Sequence, residues 1–354
     1  MSYSDYIYTF VIITFISILY ILQQPVKRCS NRIINSPSIY ISIIISLIAF
    51  IIMFSLPIEW GKYSDRENYA LIFNSLKANQ IDSESITHDN LFYHYTSLIS
   101  KITDYTGYFF ITAGFYILNY FIASYRMSKR YHYILLLITF ISFMFYAYGT
   151  NTIRAGFAIS FLLLALTYYQ KFWLMAILIT ISIGCHYSMI IPSTGILISR
   201  FFDKTKFYFA LWCLAIPISA IAGNYFEILF ASLSNDSRAM TFLTTNMNYN
   251  TGFRFDFIIY SCIPIFVGYY YIYKKKFKSD YYKLIYNSYI LTNIFWILVI
   301  RANFSDRFAY LSWFLIPYII IYPLVNSKLF EDQNKKICLI LILQMIFTYT
   351  MYIR

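Results

Sequence analysis

The sequence predicts an all-α fold: a polytopic integral membrane helical bundle of about twelve transmembrane helices, with a large outer loop that contains short interfacial helices. Three observations predict it. Of the 354 residues, 59% are hydrophobic and only 12% charged, too few charges for the surface of a soluble domain. Apolar runs long enough for a ~30 Å hydrocarbon core recur along the whole chain. The basic residues between those runs gather on alternate sides, as positive-inside orientation requires.

Taken in order, the first run covers residues 3–22. It lacks the basic start and small-residue cleavage site of a signal peptide, so it is expected as a retained helix. Further runs lie near 39–57, 107–125, 133–149, 154–170, 172–186, 188–202, 207–231, 255–273, 284–300, 309–326 and 337–353. The pair 172–186 and 188–202 is short, since fifteen residues rise only ~22 Å. Either both helices are short, or the chain bends in the membrane around His186.

Lysines and arginines such as Lys27, Arg28, Lys129, Arg130, Lys204, Lys206 and Lys274–Lys276 mark the side expected to face the cytoplasm. The opposite side receives the polar segment 58–106, the loop 232–253 and short loops around 151 and 304. Both termini then lie outside, a parity that fails if 172–202 is one bent segment. The segment 58–106 is too polar to span and has the mixed apolar spacing of short helices lying on the outer face. With no repeat or linker, residues 1–354 read as a single polytopic membrane domain. The formal charge of +12 is explained by this topology rather than by a nucleic-acid partner. Five scattered cysteines and four dispersed histidines give neither a disulfide framework nor a metal site.

Some charges do not follow from orientation. Arg66, Arg154, Arg238, Arg254, Arg301 and Arg307 fall at outer helix ends or in outer loops, with Asp65, His186 and Asp306 beside them. Ionisable groups at membrane depth tend to face a bundle interior or a water-filled cavity. A guanidinium keeps its charge and its planar fork pairs with phosphate oxygens, so several of them in one outer cavity suit a diphosphate or another polyanion. Each alone could equally snorkel to head groups. His186, in IGCHYSMIIP, reads either as a packed histidine bonded to a neighbouring helix or as a proton acceptor. Asp65 and Asp306 each precede an arginine and read as surface ion pairs or as a general base; Asp65 is favoured as the base because the long outer segment can carry it over a substrate.

The order Asp65–Asn68–Tyr69, NTIRAGFAISFLLLA, CHYSMIIP and SDRFAY resembles the EpsG-like branch of the Wzy-type polysaccharide polymerases. The resemblance runs from about residue 60 to 315. It rests most on Asn151, Arg154 and Ala158, followed by His186 and Ser188, with Arg307 and Tyr310 as a weaker last element. In the first motif the family usually has an aromatic directly after the Asp, whereas here Arg66, Glu67 and Asn68 intervene before Tyr69.

The resemblance implies a membrane glycosyltransferase of O-antigen or related polysaccharide assembly. On the outer leaflet of the bacterial cytoplasmic (inner) membrane, it would move a growing glycan from its polyprenyl (undecaprenyl) diphosphate onto the nonreducing end of the next lipid-linked unit. Asp65 or His186 would take the acceptor proton, and Arg154, Arg301 and Arg307 would hold diphosphate. Arg66, Tyr69, Asn151, Arg254, Asp306 and Tyr310 would support them. No cofactor and no metal ion are implied. The expected partners are the lipid-linked oligosaccharides, membrane lipids and a chain-length regulator protein. Two other classes stay open: a lipid-linked oligosaccharide flippase or transporter, and a membrane O-acyltransferase with His186 as base.

Overall fold

The computed structural model describes residues 3–23, 38–58, 64–81, 89–233 and 252–353; Arg238 and nearly all of the 232–253 loop fall outside them. Among the described residues every regular element is helical and no strand forms. Contacts divide the chain into two compact units, residues 1–187 with 321–354, and residues 188–320.

The first unit contains α1 (Tyr3–Gln23), α2 (Ser38–Phe54), α3 (Ser64–Lys77), α4 (Asn90–Ser100), α5 (Tyr105–Met127), α6 (His132–Phe140), α7 (Phe143–Thr150), α8 (Ile153–Thr167) and α9 (Phe172–Cys185). At its centre α8 packs on α9 and α5. Ala158 and Ala165 of α8 are wholly buried; small side chains let helix backbones approach closely where no water is present to drive association. Buried hydroxyl and amide groups then find partners across the gap. Asn119 of α5 donates to Ser160 Oγ at 3.0 Å, and Ser182 Oγ of α9 donates to the Ala158 carbonyl at 2.7 Å.

The expected helices of the 58–106 segment are α3 and α4, which pack on each other, with α4 also resting on α9. The run 133–149, expected as one span, is instead the pair α6 and α7, bent by 69°. Ser142 is the reason. It takes an extended conformation, its hydroxyl accepts from the Phe145 N–H, and a new helix starts there.

The second unit contains α10 (Ile190–Phe201), α11 (Thr205–Leu233), α12 (Phe255–Tyr269), α13 (Asp280–Leu298) and α14 (Ser305–Trp313), and ends within α15 (Ile316–Asn326); α16 (Gln333–Ile353) returns to the first unit. Its core is α13 packed against α10 and α11. The fully buried Asn293 ties the unit together. Its oxygen accepts from Trp212 Nε1 at 2.8 Å, and its nitrogen donates to Ser261 Oγ at 3.2 Å and Ser312 Oγ at 3.0 Å. Trp313 Nε1 also donates to Ser261 Oγ, at 2.8 Å. One amide thus links α11, α12, α13 and α14. Helix α11 contains Pro217, which cannot donate to the preceding turn, and it leaves helical geometry five residues further on at Ala222 (φ −121°, ψ 20°).

By length and hydropathy, four helices among the described residues could cross a membrane: 105–127, 205–232, 255–274 and 305–326, or five counting the bent pair as one. Several other expected spans are shorter apolar helices, including α2, α8 and α9. Helices α9 and α10 are both short, with 14 and 12 residues, and a 3₁₀ turn at Tyr187–Met189 separates them.

Replacing Asn293 by Ala would leave the buried Trp212 N–H without its acceptor. A loss of about 1–3 kcal/mol is expected, read as a lower thermal midpoint of the purified protein in detergent.

Candidate functional site

The first unit gathers a carboxylate, a guanidinium and an imidazole around residues that lie far apart in sequence. Asp89 precedes α4 in a left-handed conformation (φ 61°, ψ 29°), and its side chain makes no capping bond to its own helix. The carboxylate, with 0% of the side chain exposed, turns elsewhere. Oδ1 accepts from the Tyr187 backbone N–H at 2.6 Å and lies 3.4 Å from His186 Nδ1; Oδ2 lies 3.1 Å from Arg154 Nη1. Arg154 Nη1 also donates to the Tyr93 hydroxyl at 2.8 Å, and the Arg154 backbone N–H donates to the Tyr69 hydroxyl at 3.4 Å.

Local structure explains how each group arrives. Arg154 lies in the first turn of α8, just past the corner where α7 ends at Asn151. Gly156 permits that corner, because a β-carbon there would strike the Tyr148 carbonyl. His186 ends α9 in an extended conformation (φ −154°, ψ 114°), which turns both its ring and the next N–H out of the helix. On α9, Gly184 lets the helix approach α4: a β-carbon would lie 3.1 Å from Leu91 Cβ, two residues beyond Asp89.

Burial pushes the Asp89 carboxyl up. The hydrogen bond and charge of His186, the Arg154 guanidinium and the Tyr187 N–H outweigh it and hold the group well below the usual carboxylate range. Asp89 is therefore a fully buried anion, while Arg154 and His186 keep 13% and 19% of their side chains exposed. Tyr69 is pushed up by burial, with Arg154 opposing, so it stays a neutral phenol.

The other expected residues take several places. Arg154, His186 and Tyr69 come together around Asp89. Asp65 lies one turn before Tyr69 on α3 and acts on it electrostatically, but the carboxylate in contact with Arg154 and His186 is Asp89. Arg66 is 2% exposed, with its guanidinium 4.1 Å from the Phe109 ring centroid. It lines a cavity of ≈ 10 Å³, about one water molecule in size, with Thr112, Tyr116 and Tyr148. Asn151 forms the α7–α8 corner.

In the second unit, Arg254 forks onto Asp256 (3.0 and 2.8 Å) and stacks on Phe257 at 3.7 Å. Asp306, expected as a supporting residue, bonds the Tyr310 hydroxyl and acts electrostatically on Arg254. Arg307 lies over the Phe304 ring at 4.7 Å. Arg301 donates to the Ala220 carbonyl at 2.9 Å, beside the kink in α11, so its fork is partly committed to the fold.

Two residues of the site escape sequence reasoning, Asp89 and Tyr93. The available signal for Asp89 is an acidic residue just ahead of the apolar pattern NLFYHY, which reads as a helix cap.

Against this geometry, the model of the EpsG family matches residues 38–354. The chain belongs to the EpsG family. No curated protein and no solved structure matches it. The EpsG family is generally associated with glycosyltransferase-type polymerases of polysaccharide synthesis. The matched range contains the whole Asp89 cluster and the arginines of the second unit, so both sets of charges belong to the EpsG-family part of the chain.

Because Asp89 ionises more readily in the folded protein than in an unfolded chain, its contribution is complete above the unfolded carboxylate range near ~4 and is lost as pH falls below it. The thermal midpoint of the wild type in detergent should therefore drop as pH is lowered from ~5 to ~3. Asp89→Asn should start about 2–3 kcal/mol less stable at neutral pH and show a flatter acid limb.

Proposed function

We propose that this chain is a membrane glycosyltransferase that polymerises polyprenyl-diphosphate-linked oligosaccharide units into O-antigen or a related surface polysaccharide. The observation that carries this reading is the buried Asp89 carboxylate holding Arg154 and His186 together in a member of the EpsG family. The protein would sit in the bacterial cytoplasmic membrane with about twelve crossings, its site toward the outside.

In the reaction, a hydroxyl of the acceptor unit attacks the anomeric carbon of the donor glycan. A new C–O bond forms, the bond from that carbon to the diphosphate oxygen breaks, and the lipid diphosphate leaves with the electron pair. The acceptor proton goes to a base. His186 suits that role better than Asp65, because its Nδ1 faces the Asp89 anion and so carries the proton, which puts the lone pair on Nε2. Asp89 is a positioning residue that also stabilises the imidazolium once it forms, as a carboxylate does for the histidine of a hydrolase triad.

Charge that develops on the leaving diphosphate calls for fixed cations. Arg154 supplies one, and its hydrogen bonds to Asp89 and Tyr93 hold the fork in one orientation before substrate arrives. Arg254, Arg301 and Arg307 are further candidates for diphosphate oxygens. Arginines in this role would let the reaction proceed without a resident metal. The partners are then two lipid-linked oligosaccharides, the surrounding lipids and a chain-length regulator.

The test is the length distribution of surface polysaccharide in a strain that lacks the gene, complemented at matched membrane levels. Wild type should restore a ladder; Arg154→Ala and His186→Gln should leave a single repeat unit, with transfer lowered about 10²–10⁴-fold for the histidine. A full ladder from either variant would count against these roles. Loss of even the single unit on deletion would point to a transporter.

A further inference from the structure

At one end of the second unit, two turns form a single basic surface. The α10–α11 turn supplies Lys204 and Lys206, and the α12–α13 turn supplies Lys274, Lys275, Lys276 and Lys278. The two turns are joined: Asp203 accepts from Lys283 Nζ at 2.8 Å and from Asn287 Nδ2 at 3.3 Å, while Lys206 Nζ lies 5.4 Å from the Tyr273 ring centroid. Asp203 and Asp280 are the only acids within the two turns, and Asp203 is committed to that joint.

The backbone beneath the lysines is unusual. α12 runs into a π-helical turn at Tyr270–Lys274, closed by the Lys275 N–H to the Tyr270 carbonyl at 3.0 Å. Lys276 then adopts a left-handed conformation (φ 52°), disfavoured for a residue with a β-carbon. Single π turns of this kind recur at functional sites. Here the result is three successive lysines held on one short turn despite their mutual repulsion.

The helices that lead to this surface show what covers them. Along α12, Phe255, Ile259, Ile263, Phe266 and Tyr270 form an exposed apolar stripe at helical spacing, and the stripe ends at the lysines. On α11, an exposed stripe through Ile228, Tyr225, Ile221, Ile218, Leu214 and Phe207 runs to Lys206. Stripes of that length and exposure suit acyl chains, and a basic surface at their common end then lies at head-group level.

We infer that the α10–α11 and α12–α13 turns form a docking site for an anionic glycerophospholipid, whose phosphate is held by Lys274–Lys276, Lys278, Lys204 and Lys206 and whose acyl chains lie along the exposed stripes of α11 and α12. Positive-inside orientation places the site on the cytoplasmic leaflet. It is separate from the transferase reading and stands or falls independently of it.

The test uses the full chain in nanodiscs of phosphatidylcholine alone or mixed with phosphatidylglycerol, with native mass spectrometry to count the lipids retained after release. Wild type should retain phosphatidylglycerol in preference to phosphatidylcholine, and less of it as salt rises. With Lys274, Lys275, Lys276 and Lys278 all replaced by Gln, phosphatidylglycerol retention should weaken about tenfold or more, while the same four positions as Arg should keep it. If the Gln variant does not fold, Lys204→Gln with Lys206→Gln should weaken retention in the same direction. Equal retention of both lipids by wild type, or unchanged retention of phosphatidylglycerol in a folded Gln variant, would overturn the inference.

Discussion

A carboxylate closed off from water must find compensating charge and hydrogen bonds, and in the first unit everything near Asp89 follows from that requirement. An unpaired buried anion is far more costly than any single contact in this fold. Its partners come from three places: the first turn of α8, the end of α9 and the backbone N–H that follows it. Each must be delivered to within hydrogen-bond reach of one side chain. The tight α7–α8 corner at Gly156, the close α4–α9 approach at Gly184 and the extended backbone of His186 serve the same end. An imidazole and a guanidinium are fixed in one mutual orientation because the same anion needs both, a constraint the fold imposes whatever chemistry the pair performs.

Charge in the second unit is handled differently. Arg254 pairs with Asp256 and lies on Phe257, and Arg307 lies over Phe304. The buried polar centre there is neutral, built on Asn293 and two serines. Neutral groups need only hydrogen bonds, so that centre can be wholly buried without any cation. Arg301 shows how a charge in a predicted binding set can also serve structure, since its guanidinium holds a carbonyl near the kink of α11.

The helical class and most apolar runs were legible in the sequence because hydropathy is a local property summed over many residues. Breaks within the runs were not. Ser142 redirects a run through a single capping hydroxyl, and nothing in the average apolarity of 133–149 reveals it. Arg154 and His186 were legible as charges at the ends of apolar helices, where their cost demands a reason. Asp89 was not, for two reasons. It is one of several acids in a polar segment, and its local context is that of an ordinary helix cap, yet it uses its carboxylate on residues 65 and 97 positions away in sequence. Asp306 and Tyr310 meet because they lie one helical turn apart, a proximity set by helix geometry.

The kink in α11 also bears on how the protein meets its bilayer. Only 17% of its apolar window is buried among the described residues, which leaves most of that window for lipid to cover. The helix of 28 residues would reach ~42 Å if straight, but the uncharged stretch between Lys206 and Glu227 covers only ~30 Å, the thickness of a hydrocarbon core. Within that stretch the helix departs from helical geometry at Ala222. Because Arg301 is bonded to a carbonyl beside that break, any change of angle there would carry the guanidinium with it, so the geometry of a lipid-facing helix and the position of a charge are one variable.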